Sequence, residues 1–259
     1  MKLSIITVNL NNIEGLKNTL KSIKHQTYKE FELIVIDGAS DDGSVNIIKE
    51  SSIIDIWISE KDKGVYDAMN KGIEKASGDY LLFLNSGDLL FNEGVLEEII
   101  PKLTSEAIIY GNIQIIGHKS KPTHIHHYPK TLTFKHFFVG SLGHPSTFIR
   151  RDLFEKYGTY ETKYTIVADW AFFTKIIIGK QVSTKYIPDV ISSFYMDGMS
   201  SDPKNRNIID AEQNAFLKEE FPLFYNDYIE YFKLEDKLKR LRTSKGFRLL
   251  KAIGVKKFQ

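Results

Sequence analysis

The sequence predicts an α/β fold: a mixed, mainly parallel sheet flanked by helices, with a helical C-terminal extension. Short, nearly continuous apolar runs alternate with amphipathic segments through the N-terminal part of the chain. Those runs end in clusters of Asp, Asn, Gly and Ser, which a parallel sheet would gather along one edge. The composition agrees. With 259 residues, 42% apolar and 26% charged, the chain can fill a large core and is neither disordered nor fibrous.

The elements follow in order. Leu3–Val8, Phe31–Ile36, Ile54–Ile58 and Tyr80–Leu84 are rich in Ile, Val, Leu and Phe, as strands covered on both faces are. Between them, Ile13–His25, Ser44–Ser51 and Tyr66–Ala76 space apolar residues by three and four. Leu16, Leu20 and Ile23 form one helix face, and Met69, Ile73 and Ala76 another. This alternation implies right-handed crossovers and a doubly wound sheet. Ala107–Ile116 reads as a strand, and residues 117–145 as a polar, His-rich stretch broken by Pro122, Pro129 and Pro145. A short strand at Ser146–Ile149 precedes helices at Asp152–Tyr157 and Asp169–Ile178. Gln181–Tyr195 is strand-like with Pro188 interrupting it, and Met196–Asn207 has the Gly, Pro, Ser and Asp content of a mobile loop. Helices are expected over Ile208–Phe221 and Tyr228–Arg242, with an amphipathic segment at Phe247–Ile253. No Gly/Ser-rich linker or repeat divides the chain. Residues 1–203 therefore read as one catalytic-sized domain and 204–259 as a helical extension.

Composition excludes several functions. The absence of cysteine removes disulfides, thiolate zinc sites and a cysteine nucleophile. No apolar run reaches the ~18 residues of a membrane span, and Lys2–Asn9 is too short an apolar stretch for a signal peptide, so a cytoplasmic protein is expected. Nine of the 35 Lys and Arg residues fall in 237–259, which holds no Asp or Glu; the other 26 face all 33 acidic residues. A nucleic-acid binder would carry its basic charge on the folded domain, so nucleic acid is not an expected partner.

The predicted sheet edge carries the chemistry. It collects Thr7-Val8-Asn9, Asp37-Gly38-Ala39-Ser40-Asp41-Asp42-Gly43-Ser44, Glu60-Lys61-Asp62-Lys63-Gly64 and Asn85-Ser86-Gly87-Asp88. Turn chemistry accounts for any one of these clusters. Four at the same ends of four strands suggest a site. Neither a Gly-x-Gly-x-x-Gly after a strand nor a P-loop lysine motif is present. An acidic edge suits a hard divalent cation carrying a diphosphate, with Asp88 as the natural ligand and a turn cap as its plainer role.

These segments, together with Asn70-Lys71-Gly72-Ile73 and His144-Pro145-Ser146, resemble in order and spacing the inverting family-2 glycosyltransferases of the GT-A fold. Ser59–Gly72 is similar to a bacterial branch that builds surface polysaccharides. The resemblance runs from residue 1 to about 200. It implies that Thr7 and Asn9 line a nucleotide pocket, that Asp37 reads base and ribose, and that Asp42 shapes the loop. Asn85 and Ser86 stand beside Asp88 where the family has Asp-x-Asp-Asp, implying Mg²⁺ or Mn²⁺ at Asp88. Met69 replaces the family's Arg, which passes diphosphate contact to Lys63 or Lys71, if these are not simply solvated. Gly38 replaces the second of two adjacent Asp residues, and no His follows residue 144 to serve as a further ligand.

In Val167-Ala168-Asp169-Trp170, the resemblance makes Asp169 the base that accepts the acceptor hydroxyl's proton; the plainer alternative is a helix cap. His144 is placed at the acceptor side, orienting acceptor or Asp169, or is structural. Trp170 is an acceptor platform or core. Met196-Asp197-Gly198-Met199-Ser200-Ser201 resembles the loop that closes over the donor. His124, His126 and His127 invite a zinc reading, set aside for want of a third clear ligand in favour of acceptor-side surface. Phe247, Leu249, Leu250, Ile253 and Phe258 interleave with basic residues, which suits a helix on anionic lipid or an oligomer contact. The expected function is a metal-dependent inverting transfer from a nucleoside-diphosphate sugar, UDP-linked, to a saccharide or lipid-linked saccharide at the inner face of the plasma membrane. The competitors are a non-catalytic scaffold in a polysaccharide complex and another nucleotide-dependent enzyme, such as a nucleotidyltransferase or phosphatase.

Overall fold

The computed structural model describes residues 1–117, 122–196 and 198–255, in two compact units, Met1–Glu212 and Gln213–Gln259. The first unit holds the sheet. Its opening half is β1 (Leu3–Asn9), α1 (Ile13–Lys24), β2 (Phe31–Asp37), α2 (Ser44–Glu50), β3 (Ile56–Ser59), α3 (Val65–Lys75) and β4 (Tyr80–Phe83). These four strands pair in parallel in the order β3-β2-β1-β4. Side-chain alternation sends the two faces of each strand to different helices. Leu3 and Ile5 of β1 pack with Leu16, Leu20 and Ile23 of α1 and with Ile48 of α2. Ile6 faces α3, which approaches so closely that a Cβ on Gly72 would fall 2.5 Å from Ile6 Cγ2. Gly72 is thus required by helix-on-sheet packing, and the sheet is covered on both sides as its continuous apolar runs demand.

The second half mixes directions. After β5 (Leu89–Leu90) and α4 (Val95–Ile99) come β6 (Ile108–Ile116), β7 (His124–His126), α5 (Phe134–Val139), β8 (Thr147–Arg150), α6 (Asp152–Tyr157), α7 (Ala168–Phe173) and β9 (Thr184–Tyr195). The order continues β4-β8-β6-β9-β5; β8 is antiparallel to both neighbours, β6 and β9 are parallel, and β7 adds to β6. Pro188 does not end the strand. Tyr110 pairs with Tyr186 but Asn112 with Val190, so Pro188 falls in a register break where its missing N–H costs no ladder bond, and its carbonyl accepts from Asn112 Nδ2 at 2.8 Å. The stretch expected to be irregular contains β7 and α5, the latter capped by the Thr133 side chain accepting from the His136 N–H. The expected helix over Asp169–Ile178 is α7 followed by a π-helical stretch, Thr174–Gly179. Met199–Ser201 and Pro203–Asn205 form 3₁₀ turns in the region read as a loop; Asp197 of the expected closing loop lies outside the described residues.

α8 (Arg206–Glu220) leads from the first unit into the second, which contains α9 (Pro222–Thr243) and α10 (Lys245–Ala252). α10 is capped by Ser244, whose side chain accepts from the Phe247 N–H. Its Leu249, like the following Ile253, is exposed. Phe258 of the expected apolar set lies outside the described residues. Among the described residues, no helix is long and apolar enough to cross a membrane.

Candidate active site

The carboxyl ends of β1, β2 and β4 meet in a continuous polar network. Asp37, fully buried at the end of β2, accepts from Asn9 Nδ2 at 2.9 Å, Ser40 Oγ at 2.6 Å, the Ser40 N–H at 2.9 Å and Ser59 Oγ at 2.7 Å. Burial pushes its pKa up, but hydrogen bonds from Ser40, Asn9 and Ser59 more than offset this and hold it below the usual carboxylate value. Asn9 extends the chain by accepting from Ser86 Oγ at 2.7 Å, joining the β1 and β4 ends. The Thr7 hydroxyl, also buried, is spent on the Leu84 carbonyl at 2.8 Å. The structure thus brings Thr7, Asn9, Asp37 and Ser86 together as a rigid floor. Asp42 shapes the loop above it, accepting from the Ile13 N–H at 2.8 Å and from both the N–H and the hydroxyl of Ser44.

One residue that the sequence reading did not single out stands beside Gly38. A Cβ on Gly38 would lie 2.6 Å from Asp62 Oδ2, so the Asp62 carboxylate occupies the space that a side chain at 38 would need. Its other oxygen accepts from the Gly64 N–H at 3.0 Å, which ties the loop that carries it. The signal was present as Gly38 replacing an Asp, but only the fold shows which carboxylate stands near the gap. Lys63 is exposed nearby, its N–H bonded to Asp67, while Lys71 is engaged with Glu60 at 2.8 Å and Asp67 at 3.5 Å.

The turn after β4 carries Asn85 and Asp88. The Asp88 N–H closes it by donating to the Asn85 carbonyl at 2.8 Å, and Gly87 supports it with φ of 106°. Thr19 braces the turn from α1, donating to the Asp88 carbonyl and accepting from the Gly87 N–H. Asp88 is buried, and Asn85 Oδ1 is a buried oxygen with no hydrogen-bond partner among the described residues. One carboxylate and one unsatisfied amide oxygen in a single turn fit a hard cation that takes most of its ligands from phosphate and water, as Mg²⁺ commonly does. Among the described residues, no cluster of three His, Cys, Asp or Glu could hold a metal by itself, the β7 histidines included.

Asp169 is assembled from three other elements. The plainer alternative, a helix cap, does not hold, because α7 begins earlier, with Val167 as N-cap. Tyr66 of α3 brings its hydroxyl to 2.7 Å from Asp169 Oδ1 and 2.5 Å from the Ile166 carbonyl. Burial, then the charge of Asp169, drives the Tyr66 pKa far up, so the phenol keeps its proton and remains a donor. His144 Nδ1 faces Asp169 Oδ2 at 3.8 Å, and its Nε2 lies 2.8 Å from the Tyr160 hydroxyl. The Tyr160 pKa is also raised, by burial and then by Asp169, so its hydroxyl keeps its proton. Because Nδ1 faces a carboxylate, which only accepts, the neutral tautomer that suits this geometry carries its proton on Nδ1 and accepts from Tyr160 on Nε2. Asn70, one turn beyond Tyr66, clamps the Tyr160 backbone through both its amide atoms, at 2.9 and 3.0 Å. The Asp169 side chain remains 22% exposed, open to a reactant.

His144 is itself buried, and burial lowers its pKa to about 4, with Asp169 opposing the shift. An unfolded histidine titrates near pH 6.5, so between there and about pH 4 the unfolded state binds the extra proton. Stability is therefore full above pH 6.5 and falls as pH drops toward 4, by up to about 3 kcal/mol. Urea midpoints measured across this range should show the loss in wild type and a flatter profile in His144→Gln. Trp170 is 3% exposed, and its indole N–H donates to the Phe137 carbonyl at 2.7 Å. That placement fastens α7 to α5 and leaves no open ring face for a sugar platform.

Residues 4–158 match the model of glycosyl transferase family 2. A PGL/p-HBAD biosynthesis glycosyltransferase of Mycobacterium bovis is 31% identical over 225 residues, covering 83% of this chain and 82% of that protein. An uncharacterized glycosyltransferase of Mycobacterium tuberculosis is 32% identical over 207 residues, 76% of each chain. Among solved structures, Staphylococcus aureus TarS 1–349 in complex with UDP-GlcNAc superposes with a TM-score of 0.66 at 16% identity, covering 85% of this chain and 68% of that one. A Pyrobaculum calidifontis mannosyltransferase in complex with GDP-Man and Mn²⁺ gives 0.57 at 15% identity, covering 95% and 82%. The fold is shared with these GT-A enzymes, and the family match spans more than half of the sequence: the chain belongs to glycosyl transferase family 2.

Proposed function

We propose that this glycosyltransferase moves a sugar from a nucleoside diphosphate, UDP in the first instance, to a saccharide or lipid-linked saccharide with inversion at the anomeric carbon. The observation that carries the proposal is Asp169: a partly exposed carboxylate held by one buried phenol and faced by a neutral imidazole. In the reaction, the acceptor oxygen forms a bond to the anomeric carbon while that carbon's bond to the diphosphate oxygen breaks. The acceptor's proton passes to Asp169, and the nucleoside diphosphate leaves with the electron pair. Tyr66 and His144 fix the carboxylate's direction, which keeps the reacting geometry populated. Asp88 and Asn85 Oδ1 would hold Mg²⁺ or Mn²⁺, which when bound offsets charge on the departing diphosphate. The solved relatives with UDP-GlcNAc and with GDP-Man and Mn²⁺ support a nucleotide-sugar donor and a metal. Incubation with a panel of nucleotide sugars and saccharide acceptors tests the reading. The expected product is a nucleoside diphosphate; free phosphate or pyrophosphate would overturn it.

In this reading the floor built on Asp37 and Asn9 supports the nucleoside, Ser86 ties the floor to the metal turn, and Lys63 faces the phosphates. Asp62 supplies the carboxylate that Gly38 lacks and accepts from base or ribose. A hydrogen bond to a charged group is worth about 1.5–3 kcal/mol, so Asp62→Ala should weaken donor binding by roughly ten- to a hundredfold in calorimetric titration. An unchanged affinity would remove Asp62 from the donor site. α10, with Lys245, Arg248 and Lys251 beside Phe247, Leu249 and Leu250, is proposed to rest on anionic lipid. Co-sedimentation with phosphatidylglycerol vesicles, lost on charge reversal of those three residues, would support it; equal binding to neutral vesicles would not.

A further inference from the structure

The segment that delivers Asp169 is held from behind by a residue that no sequence motif marks. Glu212 on α8 accepts the Thr165 N–H on Oε1 at 2.6 Å, and the Ile166 and Val167 N–H groups on Oε2 at 3.1 and 3.3 Å. Three consecutive backbone donors therefore end on one carboxylate 45 to 47 residues away. The local structure explains the need. Thr165, Ile166 and Val167 precede the first helical residue of α7, Ala168, so their N–H groups have no partner within that helix and require one from elsewhere.

Ile166 is gripped on both sides. Its N–H goes to Glu212, and its carbonyl accepts from the same Tyr66 hydroxyl that contacts Asp169. Tyr66 has one proton for two acceptors, so the position of the Ile166 carbonyl governs how that proton is shared with Asp169. Moving the Ile166 peptide would alter both the anchor of the base and its hydrogen bond.

We infer that Glu212 is a positioning residue for the base: by clamping the backbone of residues 165–167, it sets the direction of the Asp169 carboxylate and its bond to Tyr66. This rests on Asp169 being the base. It also assigns α8 a role in the active site, although the helix lies outside the family-2 match at residues 4–158.

The test is a mutant cycle in the full-length protein. Glu212→Ala and Glu212→Gln are made alone and with Asp169→Asn, and turnover is measured at saturating donor and acceptor by a radiolabel assay able to follow slow rates. Glu212→Gln keeps the size and one acceptor oxygen while turning a donor toward the N–H groups, so it carries the test if the alanine variant does not fold. The expected result is a kcat lower by tenfold or more with donor affinity within twofold of wild type. Adding either substitution to Asp169→Asn should cause no further loss, because the effect runs through the base. Wild-type kcat in Glu212→Gln with Asp169→Asn inactive would overturn the positioning role alone, as would an equal, multiplicative loss in the Asp169→Asn background. Wild-type turnover in Asp169→Asn itself would instead overturn the base assignment, and the positioning role with it.

Discussion

Asp169→Asn is expected to lower turnover by about 10²–10⁴-fold, the usual contribution of a positioned general base, or roughly 3–5 kcal/mol of barrier. The substitution is nearly isosteric. Asparagine retains an oxygen for the Tyr66 hydroxyl at the 2.7 Å position, and the side chain is partly exposed, so the fold and donor affinity should persist. The loss should appear in kcat and not in donor binding, since the base acts on the acceptor's proton. Tyr66→Phe should weaken turnover less, because it removes an anchor and leaves the carboxylate. Calorimetry with donor, circular dichroism and steady-state kinetics on one preparation separate these outcomes. Near-wild-type kcat in Asp169→Asn would dismiss it as the base.

Asp88→Asn is expected to cost about 10²–10³-fold, as removal of a preorganised electrostatic contact to a developing charge commonly does. The substitution affects more than the reacting step. With a neutral amide already at position 85, Asp88 is the one carboxylate in the Asn85–Asp88 turn, and its loss should also weaken donor binding, because a cation held there would offset the charge of the donor's diphosphate. Both kcat and donor KM should therefore change, unlike in Asp169→Asn. Raising Mn²⁺ should partly restore activity if the carboxylate mainly holds the ion. Chelation should abolish wild-type transfer, and activity insensitive to both chelator and Asp88→Asn would remove the metal from the proposal.

The sequence exposed the first half of this fold well because its physics is local. Strands buried on both faces must be apolar throughout, and helices between parallel strands must show an apolar stripe, so β1 to β4 and α1 to α3 were legible within a residue or two. Pro188 was legible as an interruption, but the register break that accommodates it depends on the facing residues, Gly111 among them: a Cβ there would meet the Asp189 carbonyl at 2.8 Å. α5 was hidden because Phe134–Val139 is short and flanked by polar, Pro-rich sequence.

The candidate site divides in the same way. Asn9, Asp37 and Ser86 are predictable as a group because strand ends in a parallel sheet share an edge. Tyr66 and Asp169 are 103 residues apart, and Glu212 meets residues 165–167 from a helix beyond the recognisable motifs; only tertiary packing joins them. Asp62 and Gly38 illustrate the intermediate case. The missing side chain was visible in the sequence, while the carboxylate filling its space was not.

Proton NMR of the product formed early in the reaction, before any reverse transfer, tests the single displacement directly. A donor with an α-linked diphosphate should yield a β-glycoside, because Asp169 takes a proton and forms no bond to the sugar. An α-glycoside would mean two displacements or a front-face transfer, and would contradict the role given to Asp169.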